Sequence, residues 1–254
     1  MMYIRQMIST MVPKFYTLVI IIAARYSFFR KQGMGSDKKE RSILDYQTQQ
    51  EKVIPRIAEY YAVTIAGTKI RLLSEENNKR VLNNDFSLLK ETHSTLCFSK
   101  CLFSEIIQDG MEILRRSMGG HGTSYYSGVP QVMNEYIAHN THEGENTVMY
   151  LQTAMYVLKS YIGFITKGKS LTDSVKYIAR IQELSDVRFA GKNPWTVEEF
   201  RDLLVRAIGY VISQITGRMA SKEQGEKEKD VVNYKVGIKL QQLAQLHGVY
   251  FMVN

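Results

Sequence analysis

The segment LLKETHSTLCFSKCLFSEIIQDGMEIL, Leu88 to Leu114, decides the fold class. Leu88, Leu89, Thr92, Leu96, Phe103, Ile106, Ile107 and Leu114 recur at three- and four-residue steps, which places them on one face of a helix. Cys97 and Cys101 stand four apart within it. They share a helix face, where a disulfide has poor geometry. They read as small buried thiols of a reducing or redox-neutral compartment, and two ligands alone are too few for a metal site.

The same periodicity extends outward. Residues 2–32 form an apolar-rich candidate helix with Pro13 kinking its first part. SDKKER, from Ser36 to Arg41, is a polar turn, and residues 43–74 form a second long candidate. Beyond the glycine-rich connection Gly119 to Pro130 and the loop HNTHEGEN, helical spacing resumes from Thr147 to Phe164, with Asn146 as its N-cap. Strand signals are scarce, with little alternation and no Asn-Gly or Asp-Gly hairpin. The expected fold is an all-α helical bundle.

After Lys167 the character changes. GKSLTDS is a linker-like turn, and Thr196 and Glu199 have capping-box spacing behind Pro194 and Trp195. A charge run, SKEQGEKEKD, precedes a last helix from Val231 to about Phe251, whose apolar end, Val249 to Val253, calls for a partner surface. Two domains are expected, 1–167 and a partial second helical domain over 168–254; no internal repeat is visible.

With 254 residues, 44% of them apolar and 23% charged, the chain has the balance of a globular protein with a sizeable core. The net charge of +8 is scattered rather than blocked. Without a basic stripe or aromatic-basic interleaving, nucleic-acid binding is not expected. The apolar run Phe15 to Ala24 has only ten residues, against about 20 for a bilayer span, so a buried core helix is expected rather than a membrane span or signal sequence. No peroxisomal targeting signal ends the chain.

Two places offer chemistry. Gly119, Gly120 and Gly122 let backbone N–H groups approach an anion, although a glycine-rich helix connection has the same pattern. No strand precedes the loop and no Lys-Ser/Thr follows, so it is neither of the common phosphate fingerprints. Glu143 and Glu145 flank Gly144 just before a helix, where a carboxylate gains from the macrodipole without any chemical role. His121, His139, His142 and Glu143 lack the spacing of a helical zinc site, and no metal is expected.

Four stretches, RYSFFRKQ (Arg25–Gln32), ILDYQTQQ (Ile43–Gln50), MGGHGTSYYSGVP (Met118–Pro130) and THEGENTVMYLQTA (Thr141–Ala154), resemble the acyl-CoA oxidases in order and spacing. The likeness runs over about residues 2–165, and more faintly beyond. These are peroxisomal FAD enzymes of the acyl-CoA dehydrogenase superfamily. The resemblance implies that Glu143 is the base removing the α-proton of a fatty acyl-CoA, while the β-hydrogen leaves as hydride to FAD. Reaction with O2 then gives hydrogen peroxide and leaves trans-2-enoyl-CoA. It further implies a thioester polarised by the glutamate's own backbone N–H and a flavin hydroxyl, and a base whose burial raises its pKa. Gly144 would let the chain turn at the substrate. FAD contacts are implied at Arg30, Gln32, Gln47, Gly119, Gly120, Gly122 and Thr147, several toward the flavin of a neighbouring subunit, hence a homodimer.

The sequence departs from the family pattern at Met118 (usually Cys), Thr123 and His142 (usually aromatic) and Glu145 (usually Asp). Family members are also more than twice as long, with an N-terminal helical domain and a β-domain. The chain therefore resembles the C-terminal part of an oxidase, needing a complementing N-terminal half. The alternatives are a non-catalytic helical interaction module and a dehydrogenase that passes electrons to another carrier.

Overall fold

The computed structural model describes residues 2–35, 37–187, 196–221 and 227–254. Ser36 of the polar turn, Pro194 and Trp195, and residues 222–226 of the charge run lie outside them. The chain is 82% helical, with one minimal sheet among the described residues, so the fold class is all-α. Two compact units are present: Met1–Leu72 with Leu102–Gly144, and Leu73–Cys101 with Glu145–Asn254.

Unit one is built on α1 (Met2–Phe29), α2 (Gln47–Leu82), α3 (Leu89–Ser117) and α4 (Val129–Tyr136), with α2 and α3 contributing to both units. Val12, Tyr16, Val19 and Ala23 of α1 are fully buried, as are Val63 and Ile70 of α2 and Phe103, Ile107 and Leu114 of α3. Each of the valine, isoleucine, leucine and phenylalanine side chains among them contributes about 1.5–3 kcal/mol by leaving water. Gly110 permits the close approach of α1 to α3, because a Cβ there would lie 1.9 Å from the Tyr16 hydroxyl. That hydroxyl donates to Glu59 Oε2 at 2.8 Å, and burial together with this carboxylate pushes its pKa well up. Gln49 ties three elements, donating to Ser27 Oγ (2.8 Å) and to the carbonyl of Ser117 (3.1 Å).

Helix α1 ends three residues before the expected Gln32. Lys31–Met34 (β1) pairs antiparallel with Glu40–Ser42 (β2) across a bulge. Gly33 allows this with φ +82°, and the Tyr46 hydroxyl occupies the space a side chain there would need. Helix α1 as a whole is long and apolar enough to cross a membrane by length and composition, which the ten-residue run alone did not suggest. Its inward residues nevertheless pack against protein, and 44% of the apolar window is buried.

Unit two contains α5 (Asn146–Lys167), α6 (Ile181–Leu184), α7 (Val197–Ala220), α8 (Glu228–Tyr234) and α9 (Gly237–Val253), with the first part of α3. The expected last helix is thus two, α8 and α9. Helix α9 packs on α5 and α7. Cys97 and Cys101 are buried free thiols, as their spacing suggested. The capping box at Thr196 and Glu199 forms in both directions. Part of the apolar chain end is covered within the unit: Phe251 is buried edge-on against Phe98, and Tyr250 lies on Tyr177 with ring centroids 4.6 Å apart. His247 sits fully buried beside the Tyr177 hydroxyl (3.0 Å), and burial pushes its pKa down to about 4.

Candidate active site

The glutamates around Gly144 have separate surroundings. Glu145 is the N-cap of α5, with φ −61° and ψ 142°, and its carboxylate accepts from the N–H groups of Thr147 (2.9 Å) and Val148 (3.4 Å). Those bonds, the Thr147 backbone one foremost, hold its pKa below the usual carboxylate value. Asn146, expected as the cap, is instead the first helical residue. It is buried, and its Oδ1 accepts from the ε-ammonium of Lys100 at 2.7 Å. Lys100 is itself completely buried, and a charge so placed requires a polar partner. The longer carboxylate at 145 takes the cap because Asn146 is committed to Lys100. Thr147 is exposed in unit two, with its hydroxyl donating to Glu145 Oε1 at 3.1 Å.

Glu143, in unit one, is different. Its φ is +60°, one of three positive values at non-glycine positions among the described residues. The left-handed conformation costs an L-residue about 1–2 kcal/mol and concentrates at functional positions. Gly144 follows with φ +112°, so the turn uses two unusual residues in a row, where the sequence pointed only to the glycine. The Glu143 carbonyl accepts two bonds from Arg5, Nε at 3.1 Å and Nη2 at 2.9 Å. Its Oε2 is out of contact with water and has no hydrogen-bond partner among the described residues. Its N–H likewise meets no acceptor among them. An acceptor and a donor on one strained residue therefore both lack a partner among the described residues.

Aromatic rings support the approach to this turn. Tyr136 donates to the carbonyl of Ser104 at 3.1 Å, His139 stacks on Tyr136 with centroids 5.2 Å apart, and the His142 ring lies 6.1 Å from His139. Among the described residues, no group of three His, Cys, Asp or Glu is placed to hold a metal ion.

Toward the other end of α1 lies a cleft of about 470 Å³. Arg30, Gln32 and Gly119 line it, as expected, together with Tyr26, Gln49 and Arg116. Its lining includes two arginines and no carboxylate. Gln47 is not part of the lining; it is exposed at the start of α2, and Gln49, two residues on, reaches the cleft. The glycines divide as well. Gly119 has φ +59°, and side chains added at Gly119 or Gly120 would meet nothing within 4 Å, leaving that edge open. Gly122 is buried, and a Cβ there would lie 2.0 Å from the Arg115 carbonyl oxygen, so its role is packing. The intervening His121 faces the Tyr26 hydroxyl through Nδ1 at 3.0 Å.

Arg5, Lys100 and Gln49 were missed in the sequence. A single Arg near the start of an apolar helix looks like a solvated residue, and nothing local reveals that its acceptor lies 138 residues away.

Residues 1–158 match the family model of the acyl-CoA oxidase C-alpha1 domain. Over 247 residues the chain is 36% identical to peroxisomal acyl-coenzyme A oxidase 2 of Rattus norvegicus, covering 92% of this chain and 35% of that one. It is 30% identical to an acyl-coenzyme A oxidase of Caenorhabditis elegans, covering 100% of this chain and 38% of the relative. Among solved structures, Arabidopsis thaliana acyl-CoA oxidase 1 superposes with a TM-score of 0.91 at 25% identity, over 99% of this chain and 38% of that one. Acyl-CoA oxidase-2 of Caenorhabditis elegans, crystallised with FAD, ascaroside-CoA and ATP, gives 0.88 at 28% identity, over 99% and 37%. The chain thus spans about a third of the length of the relatives it matches. On the family match, these identities and the helical fold they share, this chain belongs to the acyl-CoA oxidase family.

Proposed function

We propose that this chain supplies the catalytic base and part of the flavin site of an acyl-CoA oxidase. The observation that carries the reading is Glu143, whose left-handed backbone leaves a water-excluded carboxylate oxygen and an N–H both unengaged by the described residues. The carboxylate accepts the α-proton of a fatty acyl-CoA. The N–H of the same residue donates to the thioester oxygen, where charge develops as the proton leaves. Gly144 keeps side-chain bulk away from the substrate at that point.

The cleft fits the anionic part of FAD. Arg30 and Arg116 provide positive charge with no competing acid in the lining, Gln32 provides an amide, and the open backbone at Gly119 and Gly120 admits close approach. FAD, when bound, would supply the hydride acceptor for the β-hydrogen and the route of electrons to O2. Helix α1 carries Arg5 against Glu143 at one end and leads to Arg30 at the other, about 35 Å along its axis at 1.5 Å per residue. A single cofactor does not reach both ends, which supports a homodimer whose cleft receives the second copy's flavin. In this reading Gln47, outside the cleft lining, and Gly122, buried against the Arg115 carbonyl, make no contact. The domain division at 167/168 and a peroxisomal setting, the latter resting on relatives named peroxisomal, belong to the same proposal.

The test is to prepare the chain with and without the N-terminal half of an oxidase and to follow flavin absorbance and peroxide release on adding acyl-CoA. Flavin uptake and peroxide only in the complemented preparation support the proposal. Flavin reduction without peroxide points to a dehydrogenase. Failure to acquire flavin even when complemented favours a helical interaction module.

A further inference from the structure

We infer that Arg5 is a positioning residue for Glu143, gripping its backbone carbonyl so that the carboxylate and N–H stay aimed at substrate. This rests on the reading of Glu143 as the α-proton base. Arg5 is 5% exposed, in the first turns of α1, and two of its guanidinium nitrogens reach one oxygen, the Glu143 carbonyl, at 3.1 and 2.9 Å.

The need for such a grip follows from Glu143 itself. A glutamate at φ +60° relaxes toward negative φ unless its surroundings over-determine the turn. Its own groups do not supply the restraint: Oε2 and the N–H have no partner among the described residues. Gly144, with φ +112°, is a conformationally permissive neighbour. The carbonyl is the part of Glu143 that is held, and Arg5 holds it. Two donors on a planar fork fix the direction of that C=O and hence the peptide plane joining residues 143 and 144. Rotation of that plane would swing the chain through the turn and re-aim the Cα–Cβ bond.

A mere cap for a loop carbonyl would affect stability alone; a positioning residue affects turnover with little change in substrate binding. The variants are Arg5→Met, which keeps bulk without donors, and Arg5→Lys, which keeps charge without the fork and serves where the first does not fold. In crystals of the 254-residue chain, Glu143 is expected to leave positive φ in Arg5→Met. In the complex with an N-terminal oxidase half, kcat is expected to fall about 10²-fold with KM for acyl-CoA within about twofold. Arg5→Lys is expected to lose about tenfold, and added guanidinium ion to restore part of the Arg5→Met loss. Glu143 remaining at positive φ in the variants overturns the inference, whether or not kcat falls, since Arg5 would then act elsewhere. An unchanged kcat with a relaxed turn overturns it too. The crystallographic result is independent of whether Glu143 is the base, so failure of that reading, seen as full activity in Glu143→Gln, is told apart from failure of this one.

Discussion

Two turns in unit one adopt nearly the same backbone angle in opposite ways. Gly119 at +59° and Glu143 at +60° both leave the right-handed region at the end of a helical segment. At Gly119 the sequence uses the residue that takes this angle freely, and the turn offers only backbone to the cleft. At Glu143 a long, chargeable side chain holds a conformation that disfavours it, with a buried arginine clamped on its carbonyl. The difference teaches what each turn is for. Where only main chain must approach a ligand, glycine suffices. Where a side chain must be aimed, strain is tolerated and held in place from outside.

Substitutions can break or sharpen this contrast. The largest effect on stability is expected at Gly122, the glycine needed for space rather than angle. Gly122→Ala forces a Cβ against the Arg115 carbonyl and should cost about 3 kcal/mol in denaturant unfolding. Gly119→Ala meets open space and should cost only the left-handed angle, about 1.5 kcal/mol by the same measurement. A larger loss there would mean that the loop is packed rather than open.

Glu145→Ala should cost about 1 kcal/mol by removing the cap of α5. Its carboxyl is held below its ordinary 4.5 in the folded state, so the stabilisation is present above that pH and lost as pH falls through the folded value. Unfolding curves of wild type and variant should therefore converge in acid; a constant gap would assign the effect to something other than the charge. The smallest change is expected for Glu143→Gly, a gain of about 0.5 kcal/mol, because relief of the left-handed strain slightly exceeds the chain entropy glycine adds. Destabilisation there would show that the glutamate side chain, not Arg5, secures the turn.

Much of this was legible in the chain. The three- and four-residue spacing between Leu88 and Leu114 gave the helical class, since helix α3 buries Thr92, Leu96, Phe103, Ile107 and Leu114 of that stripe. The four stretches that resemble the oxidases gave the family, Arg30, Gln32 and Gly119 line one cleft, and Glu143 stands at positive φ. What stayed hidden was long-range or register-dependent. The hairpin at Lys31–Ser42 is too short and too exposed to show alternation. Gln49 rather than Gln47 faces the cleft because two residues on a helix turn the side chain through about 200°. Asn146 looked like a cap until the buried Lys100, 46 positions earlier, claimed its amide. Arg5 gave no local signal at all.

Hydrogen exchange at the α-carbon shows whether Glu143 removes the α-proton. An acyl-CoA incubated in D2O with the complemented enzyme should gain deuterium at the α-carbon. The Glu143→Gln enzyme, with flavin bound to the same extent, should exchange about 10³-fold more slowly. Equal exchange in the two proteins would contradict the account.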